Sequence, residues 1–201
     1  MATNETDKLA IQTREYFDRR APTWDRNPGV SPEHIAYLNG VIQQLRPRQG
    51  DTVLDIGCGT GVLLPLLIPK VGRAGRIIAI DLSSKMLYLA RQNVQGARVH
   101  FAHADATVLP LTSASVHLAI CNSAFPHFSD KSEALAEIAR AIKPRGRMAI
   151  CHTASRRTIN DLHRSLGHPV AGHCLPDEAQ LIQLMAQVNL EITFFEDRPG
   201  R

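Results

Sequence analysis

The chain has 201 residues, with 23 Lys+Arg against 19 Asp+Glu and a formal charge of +4, a size that suits one compact domain and excludes a second large catalytic one. Hydrophobic residues make up 44% and charged residues 21%, a balance that can bury a core and sets global disorder aside. The small positive surplus and an aromatic share of 5% supply neither a long basic stripe nor a stacking platform, so no nucleic-acid partner is expected.

No apolar run approaches the roughly 20 residues of a membrane helix, and the start, MATNETDKLA, lacks a basic segment followed by an apolar one. Cys58, Cys121, Cys151 and Cys174 are widely spaced and include no CxxC, which argues against a disulfide framework or a zinc ribbon. A cytoplasmic protein with no membrane insertion and no metal is expected.

In chain order, residues 1–10 read as a polar, frayed start, and IQTREYFDRRAPTWD as a helix that meets Pro22. SPEHIAYLNGVIQQLRPRQG reads as a second helix with Ser31 as N-cap, Pro32 in its first turn, and Pro47 and Gly50 closing it. Residues 1–50 thus form a helical N-terminal segment ahead of a core at 51–201. From residue 52 the apolar runs TVLDIG, RIIAID, RVHFAHAD, VHLAICN and GRMAICH alternate with helical patterns near 60–69, 83–94 and 130–142. That rhythm predicts an α/β fold, a Rossmann-like, mostly parallel sheet with helices on both faces. Pro65 is expected to shorten or bend the first of those helices. A helix near 155–166, the loop LGHPVAGHCLP, a helix from Asp177 to Val188 and the apolar run LEITFF at 190–195 follow.

The strongest constellation is VLDIGCGTG at 53–61, where a predicted strand runs into Gly57, Gly59 and Gly61. Such a turn lets a ligand approach the backbone. The dinucleotide fingerprint GxGxxG would need glycine where Val62 stands, and Asp55 just before the turn would repel phosphate yet hold an ammonium group. An amino-acid-bearing nucleoside meets both conditions. Asp81, 20 residues beyond Gly61, sits where a carboxylate accepts hydrogen bonds from a ribose; its other reading is a cap on the helix DLSSKM. Asp105 brings a third acid to the same sheet edge, where it can take an adenine amine. Leu82 and Met86 either face such a base or belong to the core.

These residues together closely resemble the class I S-adenosylmethionine-dependent methyltransferases, in particular the small-molecule group that includes the ubiquinone and menaquinone biosynthesis enzymes. The resemblance covers roughly residues 13–151 and extends to LPLTSASVHLAICNSAFPHF and LAEIARAIKPRGRMAI. It implies that the turn and Asp55 hold the methionine end of S-adenosyl-L-methionine, Asp81 the ribose, and Asp105 with Ala106 the adenine. It further implies that YFDRRAPTWD, with Tyr16, is a lid over the cofactor. The implied activity is methyl transfer to a small-molecule acceptor. Methylation of RNA or protein, and a non-catalytic cofactor-binding scaffold, are the alternatives.

Asn122, Phe125 and His127 follow the fourth strand and should lie near the transferring methyl. Asn122 is expected to contact the cofactor or order its loop. His127 is the candidate general base, against a packing or capping role. His152, His163, His168, His173 and Cys174 fall in the stretch around 153–188 where acceptor specificity is expected, without a recognised zinc spacing; packing, capping and solvent roles compete with acceptor binding. Against the resembled family, the single run LEITFF leaves the final antiparallel strand missing, as in a shortened chain or one whose edge another chain covers. A homodimer fits the second case.

Overall fold

The computed structural model describes residues 5–26, 31–94 and 98–197. Its sheet is made of β1 (Thr52–Ile56), β2 (Arg76–Asp81), β3 (Val99–His103), β4 (Val116–Asn122) and β5 (Ile142–Cys151), in the order β3-β2-β1-β4-β5. Every pairing among them is parallel. The chain steps outward from β1 to β3 and then returns to lay β4 on β1's other side, so the strand order reverses between β1 and β4. Open α/β sheets bind ligands outside the carboxyl ends of the strands at such a point.

Both faces of the sheet are covered, so β1 is buried at all five positions and reads as a continuous apolar run interrupted by one acid. Val53 points into a core shared with α2 (Pro32–Leu45), α3 (Leu64–Val71) and α4 (Ser84–Asn93), while Leu54 and Ile56 point into a core shared with α5 (Lys131–Ala141) and α7 (Glu178–Gln187). β4 alternates likewise, Leu118 and Ile120 to the first core, Ala119 and Cys121 to the second. A register shift between Val116 and Leu118 inverts this parity, so Val116 joins the second core.

Several boundaries differ from the sequence expectation. α1 spans Glu5–Arg20, so residues 5–10 are helical rather than frayed; Glu5 and Asp7 in its first turn and Arg19 and Arg20 in its last complement the helix dipole. Residues 1–4 lie outside the described residues. Ser31 caps α2 as expected, its Oγ accepting the His34 N–H at 3.2 Å. α3 starts at Leu64 because Gly57, Gly59 and Gly61 all hold positive φ, which delays the helix, and Pro65 then occupies the first turn, where its missing N–H costs nothing. After β5 the chain forms α6 (Arg156–Leu166), capped by Ser155, and reaches α7 through a capping box made by Asp177 and Gln180.

LEITFF at 190–195 forms no strand. Leu190 and Ile192 pack partly against the second core, whereas Phe194 is 63% exposed; with no neighbour among the described residues to complete its ladder, an extended segment gains nothing as a strand. Among the described residues the sheet ends at β5, and none of their helices is long and apolar enough to cross a membrane.

Candidate functional site

At the carboxyl end of β1 the backbone turns through Gly57, Gly59 and Gly61. A Cβ on Gly57 would lie 2.3 Å from the Ala124 Cβ, so this glycine permits close approach of the loop after β4; a Cβ on Gly59 would meet nothing within 4 Å. Gly59 therefore presents bare backbone to open space. The Gly59 N–H is held by Asp81, whose Oδ2 accepts it at 2.8 Å while Oδ1 accepts the Ser83 N–H at 2.8 Å. The residue capping α4 is Ser83, whose Oγ accepts the Met86 N–H at 3.1 Å. Asp81 thus ties the glycine turn to the loop before α4 and is not the cap.

Asp55 is 1% exposed and neither of its oxygens has a hydrogen-bond partner. Burial, with Asp81 nearby, raises its pKa to about 8. Burial also lifts Asp81 to about 6, against the two backbone N–H groups that favour its charged form. A buried acid with two orphan oxygens is short of a donor cation. An ammonium group such as that of S-adenosyl-L-methionine would supply one, so the residues present fit that cofactor, with open space at Gly59 and Asp81 at the next strand end.

The other expected cofactor residues fall around this edge. Asp105 folds back on its own loop, its Oδ1 accepting both the Thr107 N–H and hydroxyl at 2.9 Å. Ala106 and Met86 are buried, at 6% and 2% exposure, and Leu82 offers its carbonyl to the His103 Nε2 at 2.8 Å. Asn122 ends β4, where its Oδ1 accepts from the Ser123 hydroxyl at 3.4 Å and the Cys151 thiol at 3.6 Å. Tyr16 packs edge-to-face on Phe17 and under Arg20.

Sequence reasoning missed how the N-terminal segment is fastened. Asp18 of α1 accepts the Ser83 hydroxyl and the Lys85 N–H, and Asp25 accepts the Thr60 hydroxyl at 2.6 Å. Both acids thereby bind the segment to the glycine turn and the α4 start. No motif marks either one, and only contact across the fold reveals the pairing.

Imidazoles gather at the other side of the switch point. His127 closes a short 3-10 turn, Phe125–His127, and its Nδ1 lies 2.9 Å from the Nδ1 of His173. The His163 Nδ1–H donates to the His173 carbonyl. Phe17 and His163 each place a ring centroid 4.8 Å from that of His127. Burial holds His127 well below the usual imidazole range, with His163, His173, His152 and Lys131 adding to the effect. His152 and His173 are pushed down to about 4, again by burial first. His168 acts on His173 and Cys174 on Lys131. The structure thus brings His152, His163 and His173 around His127, a convergence that their scatter in sequence did not specify. Among the described residues no group of three His, Cys, Asp or Glu is arranged to hold a metal ion.

A family profile described as "Methyltransferase domain" matches residues 53–146. A demethylmenaquinone methyltransferase from Lactobacillus johnsonii is 30% identical over 148 residues, covering 70% of this chain and 60% of its own length. The chain spans between 45% and 65% of the length of the first curated relatives it matches. Among solved structures, a SAM-dependent methyltransferase from Aquifex aeolicus superposes with a TM-score of 0.67 at 22% identity, covering 85% of this chain and 87% of that one. A Haemonchus contortus phosphoethanolamine N-methyltransferase, solved with phosphomonomethylethanolamine and S-adenosylhomocysteine, does so with a TM-score of 0.70 at 23% identity, covering 89% and 44%.

Proposed function

We propose that the chain is a class I S-adenosylmethionine-dependent methyltransferase that transfers a methyl group from that cofactor to a small-molecule acceptor, a reading supported by the match of residues 53–146 to a methyltransferase-domain profile. The observation that carries this reading is Asp55, a buried acid with two unpartnered oxygens beside an open glycine turn. When bound, the cofactor supplies a methyl group on a sulfonium, a good leaving group. Catalysis then asks the protein chiefly to orient the acceptor and exclude water.

Asp55 and the turn bind the amino-acid end, Asp81 the ribose, and Asp105 with Ala106 the adenine. Leu82 and Met86 flank the base, and Asn122 orders the loop between cofactor and acceptor. The described part of the N-terminal segment, residues 5–26 and 31–50, fastened by Asp18 and Asp25, covers the cofactor, with Tyr16 on α1. Residues 153–188 shape the acceptor side. His127 takes the acceptor's proton; being neutral near pH 7, it is in the form that can do so.

The test is label transfer from radioactive cofactor to a panel of phenolic, carboxylate, thiol and amine acceptors, with products identified by mass. His127→Ala should lower turnover by about 100-fold or more while S-adenosylhomocysteine affinity stays within about twofold, since on this reading the imidazole meets the acceptor and not the cofactor. Unchanged turnover removes His127 from the reaction.

A further inference from the structure

We propose that His127 does not work as a single base but as one half of a proton-sharing pair with His173, which sets its tautomer and is the positioning residue of the acceptor site. The inference rests on the methyl-transfer reading above. Its geometry is the 2.9 Å separation of the two Nδ1 atoms. Two bare nitrogens at that distance would repel through their lone pairs, and two N–H groups would collide, so one proton lies between them.

That single proton couples the rings. When the His127 Nδ1–H donates to His173, the Nε2 of His127 is bare and able to accept; when the proton belongs to His173, the His127 Nε2 carries hydrogen and is no base. His173 cannot turn freely to escape this choice. Its carbonyl is engaged by the His163 Nδ1–H, its loop is tied back to the end of α6 by the hydrogen bond from the Ala171 N–H to the Gly167 carbonyl, and it is buried at 4% exposure. The Phe17 and His163 rings, both 4.8 Å away, hold the His127 ring from either element.

Two buried nitrogens in this cluster, Nε2 of His173 and Nε2 of His152, have no hydrogen-bond partner. Unpartnered buried polar atoms call for a polar ligand, and these stand among the groups that act electrostatically on His127. The groups facing the pair are His152 after β5, His163 on α6, His168 in the following loop and Lys131 on α5; among the described residues the main electrostatic influences on the two rings include no carboxylate. A lone imidazole so placed is a poor base, because the imidazolium it forms is desolvated. Donating the Nδ1–H to a neutral second imidazole stabilises that cation without importing a negative charge. In the reaction the acceptor's proton passes to Nε2 of His127, the acceptor atom forms the new bond to carbon, and the electron pair of the breaking C–S bond stays on sulfur. The proton later leaves from the pair to water.

The experiment combines His173→Ala and His173→Asn with ring-nitrogen NMR of histidine-labelled protein. Asn keeps an oxygen able to accept the His127 Nδ1–H, and Ala does not. His173→Ala should lower kcat by about 10–100-fold, the range seen for partners that orient a catalytic or ligating ring, with KM little changed. The acid limb of kcat/KM should move by about half a unit to one unit, and Asn should restore most of the turnover. In the wild type the His127 and His173 ring nitrogens should show one shared proton, and the His127 signals should change in the Ala variant. Equal losses in Ala and Asn with an unmoved acid limb, or His127 ring signals indifferent to His173, overturn the pair. If the wild type methylates no acceptor, the methyl-transfer reading fails, while the NMR arm still decides whether the rings share a proton.

Discussion

The two sides of the switch point bury titratable groups by the same means and are left wanting opposite things. At the carboxyl ends of β1 and β2, burial raises Asp55 and Asp81 to about 8 and about 6, and the site is short of a cation. Beyond β4 and β5, burial lowers His127, His152 and His173, with Lys131 also lowered by burial, and the site excludes a cation. A desolvated acid and a desolvated base each hold their neutral form, so the acid side suits the positive end of a ligand and the imidazole side a group that gives up a proton. On the proposed methyl-transfer reading, the difference assigns the cationic donor to the acid side and an ionisable acceptor to the imidazole side.

The largest expected effect breaks the comparison at its acid half. Asp55→Asn should weaken S-adenosylhomocysteine binding by about 10–100-fold, the worth of one hydrogen bond to a charged group. The free variant should be no less stable near pH 7, because the carboxyl it replaces is already neutral there. Calorimetry in buffers of different ionisation enthalpy should also show wild-type binding releasing up to one proton at pH 7 and the variant releasing fewer. Proton uptake instead of release would contradict the placement of the ammonium at Asp55.

Much of the acid half was legible because its cause is local. The strand, the three glycines and Asp55 lie within nine consecutive residues, and Asp81 ends the next strand, so spacing alone brings them to one edge. The imidazole half was not. His127 and His173 stand 46 residues apart, and their meeting depends on α6 and the loop after it folding back over the end of β5. Asp18 reaches Ser83 across 65 residues, again a product of docking rather than of pattern. LEITFF shows the converse limit: its composition suits a strand, but a strand exists only where a neighbour offers a ladder.

A middle-sized effect concerns stability against pH in the free protein, and here the two halves have opposite signs. His152 and His173 titrate near 4 when folded against 6.5 ordinarily, so between those values the unfolded chain binds more protons, and these groups lose stability as pH falls from 6.5 to 4. Asp55 holds its proton to about 8 against 3.8 ordinarily, so the folded chain binds more protons and this group loses stability as pH rises from 3.8 to 8. Above pH 6.5 Asp55 stands nearly alone in its window. The urea midpoint should therefore fall from pH 6.5 to 8 in the wild type and stay level in Asp55→Asn, while His152→Asn should lessen the loss on the acid side. A midpoint that rises steadily from pH 4 to 8 in both proteins would mean that Asp55 is ionised in the free state.

The smallest effect tests what joins the halves. α1 and the turn after it touch both: Asp18 and Asp25 fasten to Ser83 and Thr60 on the acid side, and Phe17 lies against His127 on the imidazole side. If this segment is a lid, its hold is a few surface-proximal hydrogen bonds, each contributing about 1 kcal/mol, and it should open well below the free energy of global unfolding. Asp25→Ala removes one such bond without touching Asp55, Asp81 or the imidazoles. Amide exchange in α1 should then quicken by about fivefold, the equivalent of that one bond, with exchange in β1 and β4 unchanged. S-adenosylhomocysteine should slow α1 exchange in the wild type and restore part of the protection in the variant. Exchange in α1 as slow as in β1, in the wild type and the variant alike, would make the segment a fixed part of the fold rather than a cover shared by the two halves.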